Sequence, residues 1–461
     1  MREKQTWALA TGPIVAAVVA AWLAFGVQLP WAACWCGAVT ALCAVWWIFE
    51  PIAIPATSLI PFAVFPLAGV MDHQAVAKCY GHPIILLVIG GLMLSTAMEK
   101  SGAHRRVALG VVRAVGGRGG RRIALGFLLA SAGMSMWMSN TATTLILLPV
   151  AMAVLEEVED RKTLAVPIFL SVAYGASIGG IGTPVGCATN LMFMAVYKQN
   201  TGNEVTFWGW MKLGLPVVVV MLPIAWLWLT RRVPEQKLLE LPRPGQWRTE
   251  ERRVLIVFAL TALAWITRAE PFGGWSRLIG APGVGDSTVA LLAAVVMFIL
   301  PNGHGGRLLD WKSAGKIPWG ILLLLGGGIA IAQAFMVSGL SEALGRLLAE
   351  LGTLPAVLMI ASICLGVTFM TEVTSNTATT ALLMPILATA GLAAQIDPAL
   401  LMAPAVISAS CAFMLPVATS PNAIVFGTGY VPVRAMAREG LALNLIGVPV
   451  VTTVCYLLLG R

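Results

Sequence analysis

Long apolar stretches, separated by short polar ones, run through almost the whole chain. A helix that crosses a membrane needs about 20 predominantly apolar residues. The stretches that predict single crossings are 8–27, 31–49, 51–70, 83–98, 213–229, 254–265, 289–300, 317–337 and 441–459. Two more, 164–198 and 401–430, are interrupted by loops that contain Pro and predict broken helices. The sequence therefore predicts an all-α polytopic membrane protein with about eleven transmembrane helices.

One polar phrase interrupts this apolar pattern twice. Segments 139–144 and 375–380 both read Ser-Asn-Thr-Ala-Thr-Thr, and their numbering differs by 236. The same offset relates Pro149 to Pro385 and Gly90-Gly91 to Gly326-Gly327, and an offset of 232 relates 184–190 to 416–422. We therefore predict an internal repeat. Residues 1–30 form a first transmembrane helix, 31–230 form repeat 1, 231–253 form a cytoplasmic linker and 254–461 form repeat 2.

Each polar phrase lies near the middle of a longer apolar segment, 123–157 in repeat 1 and 354–394 in repeat 2. The first segment has Arg121 and Arg122 before it and Arg161 and Lys162 after it, which places both of its ends on one side of the membrane. We interpret each segment as a re-entrant hairpin with the polar phrase at its tip. A broken helix follows each hairpin, at about 164–198 and 401–430.

Composition excludes a soluble protein, because 58% of the residues are hydrophobic and 11% are charged, whereas soluble domains carry about 25% charged residues. The runs are too long for the alternating strands of a membrane barrel. The net charge of +9 fits basic cytoplasmic loops and contact with lipid rather than nucleic acid. The eight cysteines show no metal-ligand spacing, and the first apolar run is interpreted as a membrane helix rather than a cleaved signal.

The distribution of positive charge predicts the orientation. With the N-terminus in the cytoplasm of a bacterial inner membrane, the basic segments 100–122, 158–163, 231–253, 301–316 and 431–438 all fall on the cytoplasmic side. One repeat then makes five crossings, an odd number, so repeat 2 is inverted relative to repeat 1. The hairpins enter from opposite sides, and their tips are expected to meet near the midplane. This arrangement predicts a carrier that alternates access to a central site.

The tips offer Ser, Thr and Asn side chains and interrupted helix ends, but no Arg or Lys. Hydroxyl and carbonyl oxygens suit a hard cation such as sodium, and free N–H groups at helix N-termini favour an anion. Two helix-capping runs are the simpler explanation of the phrases, but two identical copies at equivalent breaks weigh against it. An enzyme is disfavoured. Cys187 is the one candidate nucleophile in these polar regions, and no His lies in them to act as its base. A channel remains the other alternative.

The segment Ala409-Ser410-x-x-Phe413-x-x-Pro416-Val417-Ala418-x-x-x-Asn422-x-Ile424-Val425, together with both Ser-Asn-Thr phrases, resembles the divalent anion:sodium symporter family. The resemblance covers the whole chain. It implies a homodimer in which a transport domain moves against a scaffold domain, as an elevator. It also implies sodium-coupled symport of a di- or tricarboxylate such as succinate. A sodium-independent exchanger and a carrier of sulfate or another oxyanion are the alternatives within the same fold.

The resemblance also implies site residues. One sodium ion is expected at Ser135, Ser139, Asn140 and Gly186, and a second at Thr371, Thr374, Asn376 and Ala418. The substrate is expected at Ser139, Asn140, Thr141, Cys187, Ser375, Asn376, Thr377, Thr419 and Ser420.

Two loops depart from the family pattern. Bacterial dicarboxylate carriers tend to read Ser-Pro-Pro-Asn and Thr-Pro-Pro-Asn where this chain has Cys187-Ala188-Thr189-Asn190 and Thr419-Ser420-Pro421-Asn422. Because a thiol is a weaker hydrogen-bond donor than a hydroxyl, these changes leave the anion open. Glu372 is a carboxylate at membrane depth. It is expected to tune the second cation site, to pair with a basic residue, or to face water.

Overall fold

The computed structural model describes residues 2–116, 119–156, 161–233, 245–270, 273–348 and 355–460. Part of the predicted linker, 234–244, lies outside these residues, as do the last residue of the first hairpin segment and the first of the second. Within the described part the chain is helical, and its one isolated β-bridge joins Pro301 to Arg307.

The first repeat begins after a helix that ends in a π-helical turn, and it contains two interrupted helix pairs. The preceding helix is α1 (Arg2–Ala21, continued by Trp22–Gly26). The helices of the first repeat are α2 (Trp31–Phe49), α3 (Ile54–Thr57), α4 (Ile60–Leu67), α5 (His73–Tyr80), α6 (Pro83–Ser101), α7 (Ala103–Gly116), α8 (Gly120–Ser135), α9 (Asn140–Glu156), α10 (Arg161–Gly179), α11 (Ala188–Thr201) and α12 (Phe207–Thr230).

The second repeat has the same succession of long, short and interrupted helices. They are α13 (Thr249–Thr267), α14 (Gly274–Leu278), α15 (Asp286–Ile299), α16 (Trp311–Ala314), α17 (Trp319–Val337), α18 (Leu340–Leu348), α19 (Ala356–Thr371), α20 (Asn376–Ala393), α21 (Ala399–Ala409), α22 (Ser420–Gly427) and α23 (Val433–Leu459).

Seven segments of the described chain are long and apolar enough to cross a membrane, and shorter apolar helices accompany them. The chain is therefore a multi-pass membrane protein by its helices, while the number of eleven crossings stays a prediction. The span expected over 51–70, which its prolines should bend, is divided in the structure, since α3 ends at Thr57 and α4 starts at Ile60. Pro61 explains the break, because its ring would clash with the carbonyl of Thr57 in a continuous helix.

The basic segment 100–122, for which the sequence analysis predicted no helix, mostly forms α7. This helix is amphipathic. Ala108, Leu109 and Val112 are buried, whereas Arg105 and Arg113 are exposed. The sequence analysis considered only the charge of this segment. Its apolar positions, three and four residues apart, are the pattern of an amphipathic helix.

Helix bounds repeat at the larger of the two offsets found in the sequence. The helices α8 and α19 begin at Gly120 and Ala356 and end at Ser135 and Thr371, so both ends keep that offset. The starts of α6 and α17, and those of α9 and α20, are related in the same way. The repeat in the sequence is therefore also a repeat in the helices.

The two repeats pack into each other through glycines. A Cβ atom on Gly90 of α6 would lie 2.7 Å from the backbone carbon of Ala290, in α15. A Cβ atom on Gly327 of α17 would lie 2.8 Å from Ser58 O, beside α3. The central helix of each repeat therefore contacts the short helices of the other repeat at backbone distance.

Glycines also join the arms of the first interrupted pairs. A Cβ atom on Gly175 or Gly179 of α10 would lie 2.7 Å from Leu128 O or 2.2 Å from Ala132 O of α8. Across the repeats, α11 packs against α20 and α22 packs against α9. These contacts hold the four helix breaks inside one bundle.

Ion pairs tie the ends of the bundle together. Arg106 of α7 contacts Glu251 of α13 at 2.8 Å, and its guanidinium also donates to Gly245 O at 2.6 Å. Arg231, after α12, contacts Glu439 of α23 at 2.7 Å. The first pair joins repeat 1 to the linker, and the second joins the linker to repeat 2.

Candidate functional site

Four interruptions of helices carry the residues that the sequence singles out. In repeat 1, α8 and α9 are separated by 136–139, and α10 and α11 by 180–187. In repeat 2, α19 and α20 are separated by 372–375, and α21 and α22 by 410–419. The segment 180–187 is called loop 1 and 410–419 is called loop 2. Every interruption exposes the carbonyls of one helix end and the N–H groups of the next helix start.

The first predicted sodium set comes together around loop 1. Ser135 Oγ donates to Asn140 Oδ1 at 2.6 Å. A Cβ atom on Gly186 would lie 2.6 Å from Gly180 O and 2.9 Å from Ser135 O, and one on Gly180 would lie 2.7 Å from Asn140 Oδ1. The oxygens of Ser135, Asn140 and Gly180 therefore surround the backbone of Gly186. Loop 1 fits this place because Gly180 and Gly186 have no side chain.

Ser139 lies apart from that cluster. Its side chain is exposed, and its Oγ accepts the Ala142 N–H at 3.2 Å, which makes it a helix cap for α9. The capping explanation of the polar phrase therefore holds for Ser139 in this structure. Its counterpart Ser375 makes no side-chain cap with α20.

The second predicted sodium set is assembled in part. Thr371 Oγ1 makes a short hydrogen bond to Asn376 Oδ1 and a longer one, 3.3 Å, to Ala409 O. Thr374 points elsewhere, since its hydroxyl donates to Met370 O at 2.8 Å and lies 2.7 Å from Thr379 Oγ1. Ala418 is buried in loop 2. Among the hydrogen bonds of the described residues, none joins Thr374 or Ala418 to the Thr371–Asn376 pair.

The predicted substrate residues line the same breaks. Thr141, Cys187, Ser375, Asn376 and Thr377 are half-buried. Ser420 is exposed, whereas Thr419 accepts the Asn422 N–H at 3.2 Å and caps α22. The Cys187 thiol accepts a hydrogen bond of 3.1 Å from Thr189 and does not cap α11.

A small cavity of about 70 Å³ adjoins the first tip. It lies between Ser139, Gly186 and Ala188 on one side and Gly91 and Ser95 of α6 on the other. A second cleft, of about 360 Å³, lies away from the tips and contains Arg268, whose guanidinium is paired with Asp286 at 2.5 Å. Because this charge is already paired, the cleft offers no free cation to an anion through Arg268.

Helix ends determine the electrostatics of the breaks. The carbonyl ends of α8 and α10 meet near Gly186, and those of α19 and α21 are joined by Thr371. Helix C-termini favour cations, and the N-termini of α9, α11, α20 and α22 favour anions. Glu372 is the one charged residue within 135–144, 180–190, 371–380 and 410–422. The breaks can therefore hold a cation and an anion side by side without an Arg or Lys.

Similarity to known proteins decides the family. Residues 3–459 match the family described as the sodium:sulfate symporter transmembrane region. The chain belongs to this symporter family. The sequence resemblance is confirmed, and because the family consists of transporters, so is the expectation that this protein is not an enzyme.

Individual relatives of this symporter chain are similar over most of their length. The chain is 37% identical over 456 residues to the sodium-dependent dicarboxylate transporter SdcS of Staphylococcus aureus strain NCTC 8325 / PS 47, and equally to that of strain COL. Each alignment covers 93% of this chain and 86% of the relative. The YdaH transporter of Alcanivorax borkumensis, a solved structure, is similar in fold, with a TM-score of 0.59, 15% identity, and coverage of 84% of this chain and 87% of that one.

In this symporter chain, two asparagines that the sequence analysis did not select hold the loops. Asn190 Nδ2 donates to Gly180 O and Thr183 O, both at 2.8 Å. Asn422 Nδ2 donates to Ala412 O and Leu415 O, both at 3.1 Å. Both donors and all four acceptors correspond at the smaller offset, the one that relates the two loops. The sequence could have indicated both asparagines, because they occupy equivalent positions in the two loops that match at this offset.

One carbonyl in each loop is also bound by an aromatic donor. Trp210 Nε1 donates to Ile181 O at 2.9 Å, and Tyr174 OH donates to Phe413 O at 2.8 Å. The two carbonyls occupy equivalent positions of the repeats, whereas Trp210 and Tyr174 lie at positions that are not equivalent. No sequence pattern could have indicated that different helices supply them.

In the described part of the chain, Glu372 neither faces water nor pairs with a basic residue, which were two of the three expectations for it. It is buried, so it does not face water, and it has no basic partner among the described residues. Its Oε1 accepts the Met414 N–H at 2.9 Å and Asn444 Nδ2 at 2.7 Å, and its Oε2 accepts the Leu415 N–H at 2.9 Å. The carboxylate therefore binds loop 2 directly.

Proposed function

We propose that the protein imports a di- or tricarboxylate, such as succinate, together with sodium ions. The observation that carries the proposal is the duplicated oxygen pair, Ser135 with Asn140 and Thr371 with Asn376, at two interrupted helix ends. Two such pairs in a membrane bundle are costly unless a ligand uses them. The SdcS relatives, described as sodium-dependent dicarboxylate transporters, support the choice of cation and of anion class.

The residues present fit sodium. Sodium takes oxygen ligands, and the first set supplies the Ser135, Asn140 and Gly180 oxygens next to the Gly186 backbone. The second set supplies Thr371, Asn376 and Ala409. Ser139, Thr374 and Ala418 remain candidates that need a side-chain rotation or a small loop shift to complete the two shells.

Asn140 and Asn376 also link the cation to the anion. Each uses its Oδ1 for the hydroxyl partner in the oxygen pair, while its Nδ2 is a donor. We assign the Nδ2 groups to the carboxylates, together with Ser139, Thr141, Cys187, Ser375, Thr377, Thr419 and Ser420. Cation binding then fixes the orientation of the amide that receives the anion, which couples the two solutes.

The finer architecture belongs to the same proposal. The hairpins are re-entrant and enter from opposite sides, repeat 2 is inverted, and eleven crossings place the N-terminus in the cytoplasm of a bacterial inner membrane. Domain limits are those predicted, 1–30, 31–230, 231–253 and 254–461. The protein acts as a homodimer within lipid.

Movement as an elevator is supported by the packing. The helices α8–α12 and α19–α23 contact one another and form the transport domain, and the other helices form the scaffold. At the contact between these groups, Gly91 lies against Val185 and Gly328 lies against Met192. Small residues facing apolar side chains are suited to sliding.

Uptake of radiolabelled succinate into proteoliposomes tests the function. An inward sodium gradient is expected to drive uptake, and potassium in its place is not. Asn140→Ala and Asn376→Ala are each expected to abolish uptake while the protein still reconstitutes, because each removes one cation oxygen and one anion donor. Asn200→Ala is the control, since Asn200 bonds only Val196 O of its own helix among the described contacts.

Other outcomes of the uptake experiment would indicate an exchanger, a sulfate carrier or a channel instead. Sodium-independent uptake that requires dicarboxylate inside the vesicles contradicts symport and indicates an exchanger. Sodium-driven uptake of sulfate but not succinate contradicts the carboxylate, with the Cys187 and Ser420 loops as the cause. Continuous ion current contradicts a carrier of either kind.

A further inference from the structure

Loop 2 is held by side chains from four different helices or helix ends. Phe413 O accepts the hydroxyl of Tyr174 from α10, and the Phe413 N–H donates to Asn444 of α23 at 3.3 Å. The Met414 and Leu415 N–H groups donate to Glu372, and Asn422 of α22 binds the carbonyls on either side. Four consecutive residues of an interrupted helix thus have their backbone groups bound by side chains.

Loop 1 is held without any charge. The position equivalent to Glu372 is Met136, whose carbonyl accepts the Thr183 hydroxyl in a short hydrogen bond. The remaining donors to loop 1, Asn190 and Trp210, are neutral. The two halves therefore differ in charge, since a carboxylate lies beside loop 2 and a thioether beside loop 1.

All three partners of the Glu372 carboxylate are N–H donors. An ionised carboxylate accepts hydrogen bonds and donates none, whereas the protonated acid would need an acceptor for its O–H. The arrangement therefore matches the ionised form. A buried carboxylate that no basic side chain neutralises is expensive, and a cation nearby is the usual compensation.

The cation candidate is adjacent in the chain. Thr371, directly before Glu372, binds Asn376 and Ala409 O. Glu372 binds the N–H groups of Met414 and Leu415, a short way beyond Ala409 in the same loop. The same turn at the end of α19 thus supplies the oxygens of the second cation site and the negative charge that holds its loop.

We propose that Glu372 is a positioning residue for the second sodium site. It fixes loop 2 in the arrangement that binds sodium and supplies a negative charge that the first site lacks. This inference rests on the proposed function and deepens it. Its consequence is that the two sites are unequal, and that loss of this carboxylate weakens sodium at the second site alone.

Sodium-dependent thermal stability of the purified full-length protein tests the proposal without any substrate. Melting is followed in sodium chloride and in choline chloride at equal ionic strength, and the half-saturating sodium concentration is read from the shift. In Glu372→Gln that concentration is expected to rise about tenfold, since a hydrogen bond to a charged group is worth roughly that factor. Glu342→Gln, at an exposed carboxylate of the same repeat, is expected to change nothing.

Double variants show which site is affected. In an Asn140→Ala background, which leaves the second site, Glu372→Gln is expected to raise the half-saturating sodium concentration of the remaining response about tenfold. In an Asn376→Ala background it is expected to add no further loss, because the site it supports is already gone. Equal losses in both backgrounds would overturn the assignment to the second site.

The conservative variant separates charge from packing. Glu372→Asp keeps the charge and is expected to recover part of the sodium response that Glu372→Gln loses. If Glu372→Gln lowers the melting temperature equally in both salts and leaves half-saturation unchanged, the role is structural and the proposal is wrong.

If Glu372→Gln does not fold, Asn444→Ala decides instead. It removes a donor from the carboxylate and the acceptor of Phe413 N–H, so unchanged sodium affinity in this variant contradicts the proposal. A wild-type protein whose stability does not respond to sodium overturns the proposed function, and this inference with it. A wild-type response that persists unchanged in the Glu372 variants overturns this inference alone.

Discussion

At the scale of single residues, one asparagine in each repeat holds the chain where a helix has been interrupted. Asn190 and Asn422 each donate from the side-chain amide to two carbonyls at the break. In each pair one carbonyl, Thr183 O or Leu415 O, also accepts a backbone N–H. Both side chains are fully buried. A serine or threonine has one proton to donate and could bind only one of the two carbonyls.

Asn190→Ala is expected to destabilise the protein by about 1–3 kcal/mol, because Gly180 O loses its side-chain donor and Thr183 O keeps only the Gly186 N–H at 3.3 Å. It is also expected to raise the sodium concentration for half-maximal uptake, since Gly180 belongs to the first oxygen cluster. Thermal melting and sodium titration of uptake measure the two effects. Asn200→Ala, farther along the same helix α11, serves as control, and an Asn190→Ala protein with normal sodium dependence contradicts this role.

The sequence predicted part of the site at this scale. Ser135, Asn140 and Gly186 come together, as do Thr371 and Asn376, and each of these residues was selected from repeated phrases or the family resemblance. Ser139 and Thr374 were selected in the same way but use their hydroxyls locally. A sequence indicates which residue types stand at a break, but the rotamer of a short polar side chain depends on neighbouring backbone that only folding brings near.

At the scale of helices, the contact of α8 with α10 is made by backbone. Gly175 and Gly179, one turn apart, allow α10 to lie against the carbonyls of α8. This contact brings the C-terminal ends of both helices to the oxygens of Ser135, Asn140 and Gly180. The spacing of small residues four apart is the pattern that membrane helices use for close approach.

Gly179→Ala is expected to destabilise the protein by about 1–3 kcal/mol or to prevent folding, because the added methyl would lie 2.2 Å from Ala132 O. Gly133→Ala in α8 is the matched control, since a Cβ atom there meets nothing within 4 Å. Melting of both variants measures the difference. Equal stability of the two would mean that α10 can move away from α8 without cost.

Helix prediction succeeded for the run 31–49 and also for 213–229, which lies within one helix, α12, despite Pro216 and Pro223. The run 31–49 coincides with α2, whereas the run 51–70 contains prolines at 55, 61 and 66 and divides into two helices. The amphipathic helix α7 was missed because its apolar positions are diluted by Arg and Gly. An apolar run indicates a helix that is buried or faces lipid. An amphipathic helix buries only one face, and the element that covers this face cannot be read from the helix's own sequence.

At the scale of the whole molecule, ion pairs at the bundle ends differ in how deeply they are buried. The Arg106 and Glu251 side chains are 11% and 8% exposed, whereas those of Lys100 and Asp310 are 32% and 48% exposed. Arg106 also donates to Gly245 O and Gln246 O and covers the ring of Trp247. It therefore fixes the described end of the linker to α7.

Arg106→Ala is expected to cost about 3–5 kcal/mol, because it leaves Glu251 buried without its cation. Lys100→Ala is expected to change the stability much less than Arg106→Ala, since water solvates Asp310 when its partner is removed. Thermal melting at low and high salt distinguishes them. Similar losses for the two variants would show that burial does not set the strength of these pairs.

Because each repeat packs against the other, these contacts cannot form until the ribosome has synthesised the second repeat. Gly90 packs against Ala290 and Ser58 packs against Gly327, so each residue of repeat 1 is synthesised long before its partner in repeat 2. At about 5–20 residues per second, the ribosome takes roughly 10–40 seconds or longer to deliver the partner. During that time α6 lies in the membrane with its glycine face uncovered. Neither half of the chain can complete its own core, and the insertion machinery or surrounding lipid must cover the first half until the second arrives.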